Sequence, residues 1–99
     1  MPELPSPPSA FDSQEDLYTL GKLTFIAFGI NIDSSKQMSV KKYKNCVYFN
    51  LGEKNNILWY FDGRFYIGEW QVHLTGEGEK SGQGLEYVPG KFIYQGEFK

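Results

Sequence analysis

The sequence predicts an all-β fold: stacked antiparallel β-hairpins in an elongated sheet, preceded by an extended tail and a short helix. Three observations carry this. Aromatic residues fill 17% of the 99 positions and 11 are glycine, a pairing that suits short strands and tight turns better than helices. A segment in the second half recurs, and self-similarity at a spacing in the twenties marks stacked units. Within that segment successive side chains divide between two faces at the two-residue period of a strand.

Length and charge bound the rest. A chain of 99 residues makes one small domain with a marginal core. A formal charge of -2 argues against a duplex nucleic-acid footprint, so no nucleic-acid partner is expected. The single cysteine excludes an internal disulfide framework and suits a reducing compartment. One histidine excludes a multi-histidine metal cage and leaves little for acid–base catalysis. The richest apolar run, 17–32, is broken by Thr19, Gly21, Lys22, Thr24 and Gly29, short of the ~18–20 apolar residues of a membrane span. Residues 1–16 carry Glu3, Asp12, Glu15 and Asp16 with no Lys or Arg, unlike a signal or transit peptide. A cytoplasmic location follows as the expectation.

Taken in order, residues 1–12 hold Pro2, Pro5, Pro7 and Pro8 and read as an extended tail without its own fold, either a disordered terminus or a segment laid on a partner with Phe11 as anchor. Residues 13–42 read as a short helix plus an apolar strand that contacts a partner. Ser13 followed by Glu15 and Asp16 suits an N-cap, and Gly21 suits a stop, leaving one to two turns between them. Residues 22–32 are β-branched and aromatic on both faces, the pattern of a strand covered on both sides. Asp33 to Lys36 reads as a turn. Lys36, Lys41, Lys42 and Lys44 form a small basic cluster, either a solvated face or a weak contact with an acidic partner surface or anionic lipid.

Residues 43–99 hold the recurring pattern. Leu58, Tyr60 and Gly63 match Leu85, Tyr87 and Gly90 at a shift of 27, while Tyr66, Gly68, Glu69 and Trp70 match Tyr94, Gly96, Glu97 and Phe98 at 28. One extra residue then sits in the turn after Gly90. A weaker copy begins at Tyr43, with Asn45 and Val47 standing for Gly68 and Trp70. Asn50 and Asn56 occupy positions where glycine is expected, as the residue next best suited to left-handed backbone. The divisions are 43–65 degenerate, 66–93 with a loop of about five residues inserted between Trp70 and Gly82-x-Gly84, and 94–99 partial. Tyr66, Gly68 and Trp70 share one strand face and Phe65, Ile67 and Glu69 the other, with the glycine leaving a hole for a neighbouring ring.

The core pattern Tyr-x-Gly-Glu-Trp/Phe, then Gly-x-Gly, then Leu-x-Tyr-x-x-Gly resembles the MORN (membrane occupation and recognition nexus) repeat. The fit is close over 62–70 and good over 82–98. The resemblance implies a non-enzymatic scaffold that contacts other protein subunits of a large complex, in ciliary, axonemal or other cytoskeletal settings. The alternatives, ranked below it, are a phospholipid-binding module and a regulatory accessory of an enzyme complex. The repeat-core and interaction residues are Tyr43, Leu58, Tyr60, Gly63, Tyr66, Gly68, Trp70, Gly82, Gly84, Leu85, Tyr87, Gly90, Tyr94, Gly96 and Phe98.

No catalytic residue, metal site or cofactor is expected. Gly76-x-Gly78 and Gly82-x-Gly84 lack the strand–loop–helix setting and the Gly-Lys-Ser/Thr ending of a phosphate cradle. His73 reads as an exposed loop residue and Cys46 as a half-buried strand residue. Glu69 and Glu97 recur with the pattern and are structural, without the cleft that paired catalytic carboxylates need.

Overall fold

The computed structural model describes residues 4–32, 37–52, 54–72 and 78–98. Helix α1 spans Gln14–Ala27. Its start is the expected one: Ser13 is extended, its hydroxyl accepts from the Asp16 amide, and Glu15 and Asp16 occupy the first turn, favourably placed against the helix dipole. Its end is not. Residues 22–27 continue the helix instead of forming a strand, because Leu17, Gly21, Thr24 and Phe25 recur at helical spacing and are all buried. Gly21 is not a stop but a packing position. A Cβ there would lie 2.5 Å from Phe49 Cδ1 and 2.9 Å from the Met38 side chain. The stop is Gly29, at φ 77°, where the Gly29 amide donates to Ile26 O and the Ile30 amide to Phe25 O. That bond pair is the Schellman closure with a left-handed glycine after the cap. No helix among the described residues is long and apolar enough to cross a membrane.

Six strands follow: β1 (Ser39–Lys42), β2 (Cys46–Asn50), β3 (Asn56–Tyr60), β4 (Phe65–Val72), β5 (Gly78–Val88) and β6 (Phe92–Phe98). They form one antiparallel sheet in chain order, open at β1 and β6 among the described residues. Strand β4 runs on to Val72, which pairs with Gly78, and the inserted loop of about five residues expected in this segment lies over 73–77, outside the described residues.

The two sheet faces differ. One carries Val47, Phe49, Ile57, Trp59, Phe65, Ile67 and Leu85, and packs on Leu17 and Phe25 of α1 with Met38 and Leu51. Trp59 and Phe65 meet edge to face at 5.0 Å, and Phe28, just past the helix, stacks on Phe65 at 5.6 Å. The N-terminal segment joins this core: Leu4 packs against it and Pro8 is buried, so residues 4–12 are not a detached tail. Phe11, read as an anchor for a partner, is 96% exposed. Helix and tail lie on the sheet, and the molecule measures 35 × 33 × 28 Å, so it is not elongated. The turn expected at 33–36 lies outside the described residues.

Candidate interaction surface

The other face of the sheet bears the repeated aromatics. Leu58, Tyr66 and Cys46 form its buried centre, with Tyr48, Tyr60, Trp70 and Phe98 packed around them. Rings run across it in a chain: Tyr48 to Trp70 at 6.1 Å, Trp70 to Tyr66 at 6.2 Å, Tyr66 to Phe98 at 5.2 Å and Phe98 to Tyr94 at 5.1 Å. Tyr66, Gly68 and Trp70 thus share the face the strand period assigns them.

The strand register explains the spacing of the pattern. Asn56 opposes Gly68, Ile57 opposes Ile67, Leu58 opposes Tyr66 and Trp59 opposes Phe65. Each pair has a counterpart 28 residues on: Gly84 with Gly96, Leu85 with Gln95, Glu86 with Tyr94 and Tyr87 with Ile93. The shift of 27 is therefore corrected. Leu58 and Tyr60 lie on the aromatic face, whereas Leu85 and Tyr87 lie on the helix-side face. No residue is inserted after Gly90. Both hairpins have three-residue loops, 61–63 between Tyr60 and Arg64 and 89–91 between Val88 and Phe92. Gly63 takes the third place in its loop and Gly90 the second, with φ 102° and 73°. That one-place slide makes the glycine spacing disagree with the strands.

The weaker copy also moves. Tyr43 and Asn45 lie outside the strands, and Val47 faces the helix while Trp70 faces away. Strand register instead places Asn50, Asn56, Gly68, Gly84 and Gly96 opposite one another in one row across five strands. The asparagines do fall on the glycine row, but not for left-handed backbone, since no non-glycine residue among those described has positive φ. They act through their amides. Asn56 Oδ1 accepts from Tyr48 Oη at 2.5 Å and from Asn50 Nδ2 at 2.7 Å, and Asn56 Nδ2 donates to Gly68 O at 3.1 Å. Asn56 is buried, so these bonds satisfy a group that would otherwise be costly there.

Along the glycines the row is roofed by tyrosine. A Cβ at Gly84 would come within 2.6 Å of the Tyr66 hydroxyl oxygen, and one at Gly68 within 2.8 Å. Tyr66 fills the hole of its own strand as well as that of the next. Its hydroxyl donates to Glu69 O at 2.5 Å, and Tyr94 repeats the contact on Glu97 O at 2.9 Å. Trp70 covers Gly78 in the same way. Between Gly68 and Trp70 the register slips, with 81–83 facing Glu69 alone. Gly82 there has φ 63°, and the Glu69 carboxylate accepts from the Gln83 amide at 2.6 Å. Glu69 is a bulge cap.

Burial, with smaller contributions from the Glu69 and Glu86 carboxylates, pushes the Tyr66 phenol up to about 12. Between pH about 10 and 12 the unfolded chain releases this proton and the folded chain retains it. Stability is therefore full below pH about 10 and falls as pH rises toward 12, by at most ~1.4 kcal/mol per pH unit from this group. Denaturant midpoints measured across that window are expected to fall, with a shallower slope in Tyr66→Phe. Burial likewise pushes the Cys46 thiol up, so the nucleophilic thiolate is disfavoured.

A groove of about 630 Å³ opens at one end of this face, lined by Lys41, Tyr43, Cys46, Tyr48, Leu58 and Trp70. Lys41 Nζ lies 5.5 Å from the Tyr43 ring centre. Lys41 and Lys42 do not share a face: Lys41 opposes Tyr48 on the aromatic face, whereas Lys42 opposes Val47 and donates to Asp12 O on the other side. Lys36 and His73 lie outside the described residues. Among the described residues no group of three or more His, Cys, Asp or Glu is placed to hold a metal ion. No family model matches the chain, nor does any curated protein or solved structure.

Proposed function

We propose that the chain is a non-enzymatic structural subunit of a larger protein assembly, built from MORN-like hairpin repeats that present a sheet for protein contact. The observation that carries this reading is the aromatic face: five rings in continuous contact, on the side of the sheet that α1 does not cover. Aromatics are the side chains most enriched at protein interfaces. Exposed Ile93 and Tyr94 on β6, and Leu23 and Ile26 on α1, add apolar surface beyond a self-contained core. The MORN resemblance makes a ciliary, axonemal or other cytoskeletal assembly the setting of choice.

The test is native isolation of the endogenous protein, with sizing and identification of what travels with it. A defined assembly containing axonemal or cytoskeletal proteins is the expected result. A stable set of respiratory-chain subunits would overturn the cytoskeletal setting, and elution as a lone 11.4 kDa chain would overturn the subunit reading itself.

A further inference from the structure

We propose that the outer edge of β6 accepts an antiparallel strand from a partner subunit, that this strand carries a Gly-x-Gly pair, and that it docks in the register β5 takes on β4. The proposal rests on the subunit reading and specifies the chemistry of one contact.

The template is internal. Strand β6 repeats β4 with a shift of 28: Tyr94, Gly96, Glu97 and Phe98 stand where Tyr66, Gly68, Glu69 and Trp70 stand. Strand β4 has a neighbour on both sides, while β6 has only β5 among the described residues. What β5 supplies to β4 is specific. Gly84 opposes Gly68 and lies under the Tyr66 ring, which admits no side chain at that position. Gly82 takes a left-handed turn into the bulge, where a Cβ would collide with the Glu69 carboxylate. Glu86 opposes Tyr66, and its carboxylate pairs with Lys80, whose ammonium lies 5.5 Å from the Tyr66 ring centre.

The receiving half of this arrangement is already set on β6. The Tyr94 hydroxyl is tethered to Glu97 O as Tyr66 is to Glu69 O, and the side chain lies over Gly96, its hydroxyl oxygen 3.2 Å and its ring 3.4 Å from a Cβ built there. The difference is enclosure: Tyr66 is 1% exposed and Tyr94 44%. Glu97 is exposed, where the equivalent Glu69 caps the Gln83 amide. A strand placing one glycine opposite Gly96, a second two residues earlier at Glu97 and an acid two residues later opposite Tyr94 would reproduce the β4–β5 contact. The main chain would supply affinity, as in strand addition generally. A second copy of this chain cannot offer its own Gly82-x-Gly84, because β5 is already paired on both edges, to β4 and to β6.

The strand can be supplied in cis. Because Phe98 stands where Trp70 stands, residues 1–98 followed directly by a second copy of residues 71–98 place a β5 sequence beside β6. Amide exchange along 92–98 is expected to slow by about tenfold or more, the change that ~1.4 kcal/mol of added local stability produces. Gly84→Val in the appended copy alone should abolish the gain while exchange in β2–β4 stays unchanged. A synthetic peptide of residues 78–88 added to the original chain should slow the same amides, so misfolding of the extended chain does not protect the idea. Unchanged exchange with both reagents, or protection that survives Gly84→Val, overturns it. So does dimerisation of the original chain through β6, seen by sedimentation. An edge that fails while the native protein still runs in a defined assembly sinks this inference alone.

Discussion

Trp59→Ala is expected to destabilise the fold by about 3–5 kcal/mol, the largest effect of any single substitution we anticipate. Trp59 is 1% exposed at the centre of the helix-side core, opposite Val47 on β2 and Phe65 on β4. Truncation removes both the edge-to-face contact with Phe65 and most of the volume between the sheet and the helix side. Ile57, Phe65 and Phe49 are themselves held in the ladder and cannot collapse far into the gap. Urea unfolding followed by circular dichroism measures the loss. Trp59→Phe, which keeps an aromatic ring, is expected to lose much less, and equal losses for the two would show that cavity formation is not the cause.

Gly68→Val comes next, at or beyond the upper end of the 1–3 kcal/mol typical of overpacking. The added Cβ would lie 2.5 Å from both Gln83 O and Gly84 Cα. Those are backbone atoms of β5, so no rotamer change relieves the clash and the strands must part. Gly96→Val offers the comparison. The atom nearest its Cβ would be the Tyr94 hydroxyl oxygen, at 3.2 Å, and β6 has no outer strand among the described residues to push against. A loss at Gly68 no larger than that at Gly96 would refute the close-approach account.

Several parts of this arrangement are legible in the sequence. The Tyr-x-Gly-Glu spacing places its side chains on the correct faces, because a strand has only one period to obey. The shift of 28 between Tyr66 and Tyr94 is readable directly. The Ser13 cap is local chemistry and holds for the same reason. Gly21 misleads. In isolation a glycine after an apolar stretch suggests a stop, but its purpose here is the close passage of Phe49 and Met38. Residues 22–27 are β-branched and aromatic, yet the recurrence of Leu17, Gly21, Thr24 and Phe25 outweighs that local preference. The same recurrence was the available signal for the helix.

The aromatic face is legible in composition but not in register. Gly63 and Gly90 sit at different places in loops of equal length, so aligning on glycines puts Leu58 and Leu85 together although they face opposite sides. Asn50 and Asn56 show the converse. They fall on the glycine row, but for side-chain hydrogen bonding, Asn50 to Asn56 and Tyr48 to Asn56, which no rule about backbone conformation would suggest. The bulge at Gly82 and its cap by Glu69 depend on a contact 14 positions apart, invisible until the strands are paired.

The proposed subunit role requires that other chains complete this sheet in the working assembly. Amide hydrogen exchange compared between the isolated protein and its native assembly tests that most directly. The predicted result is slowed exchange along Phe92–Phe98 in the assembly, with Asn56–Tyr60 unchanged because that strand is paired on both sides already. Equal exchange along Phe92–Phe98 in both states would contradict it.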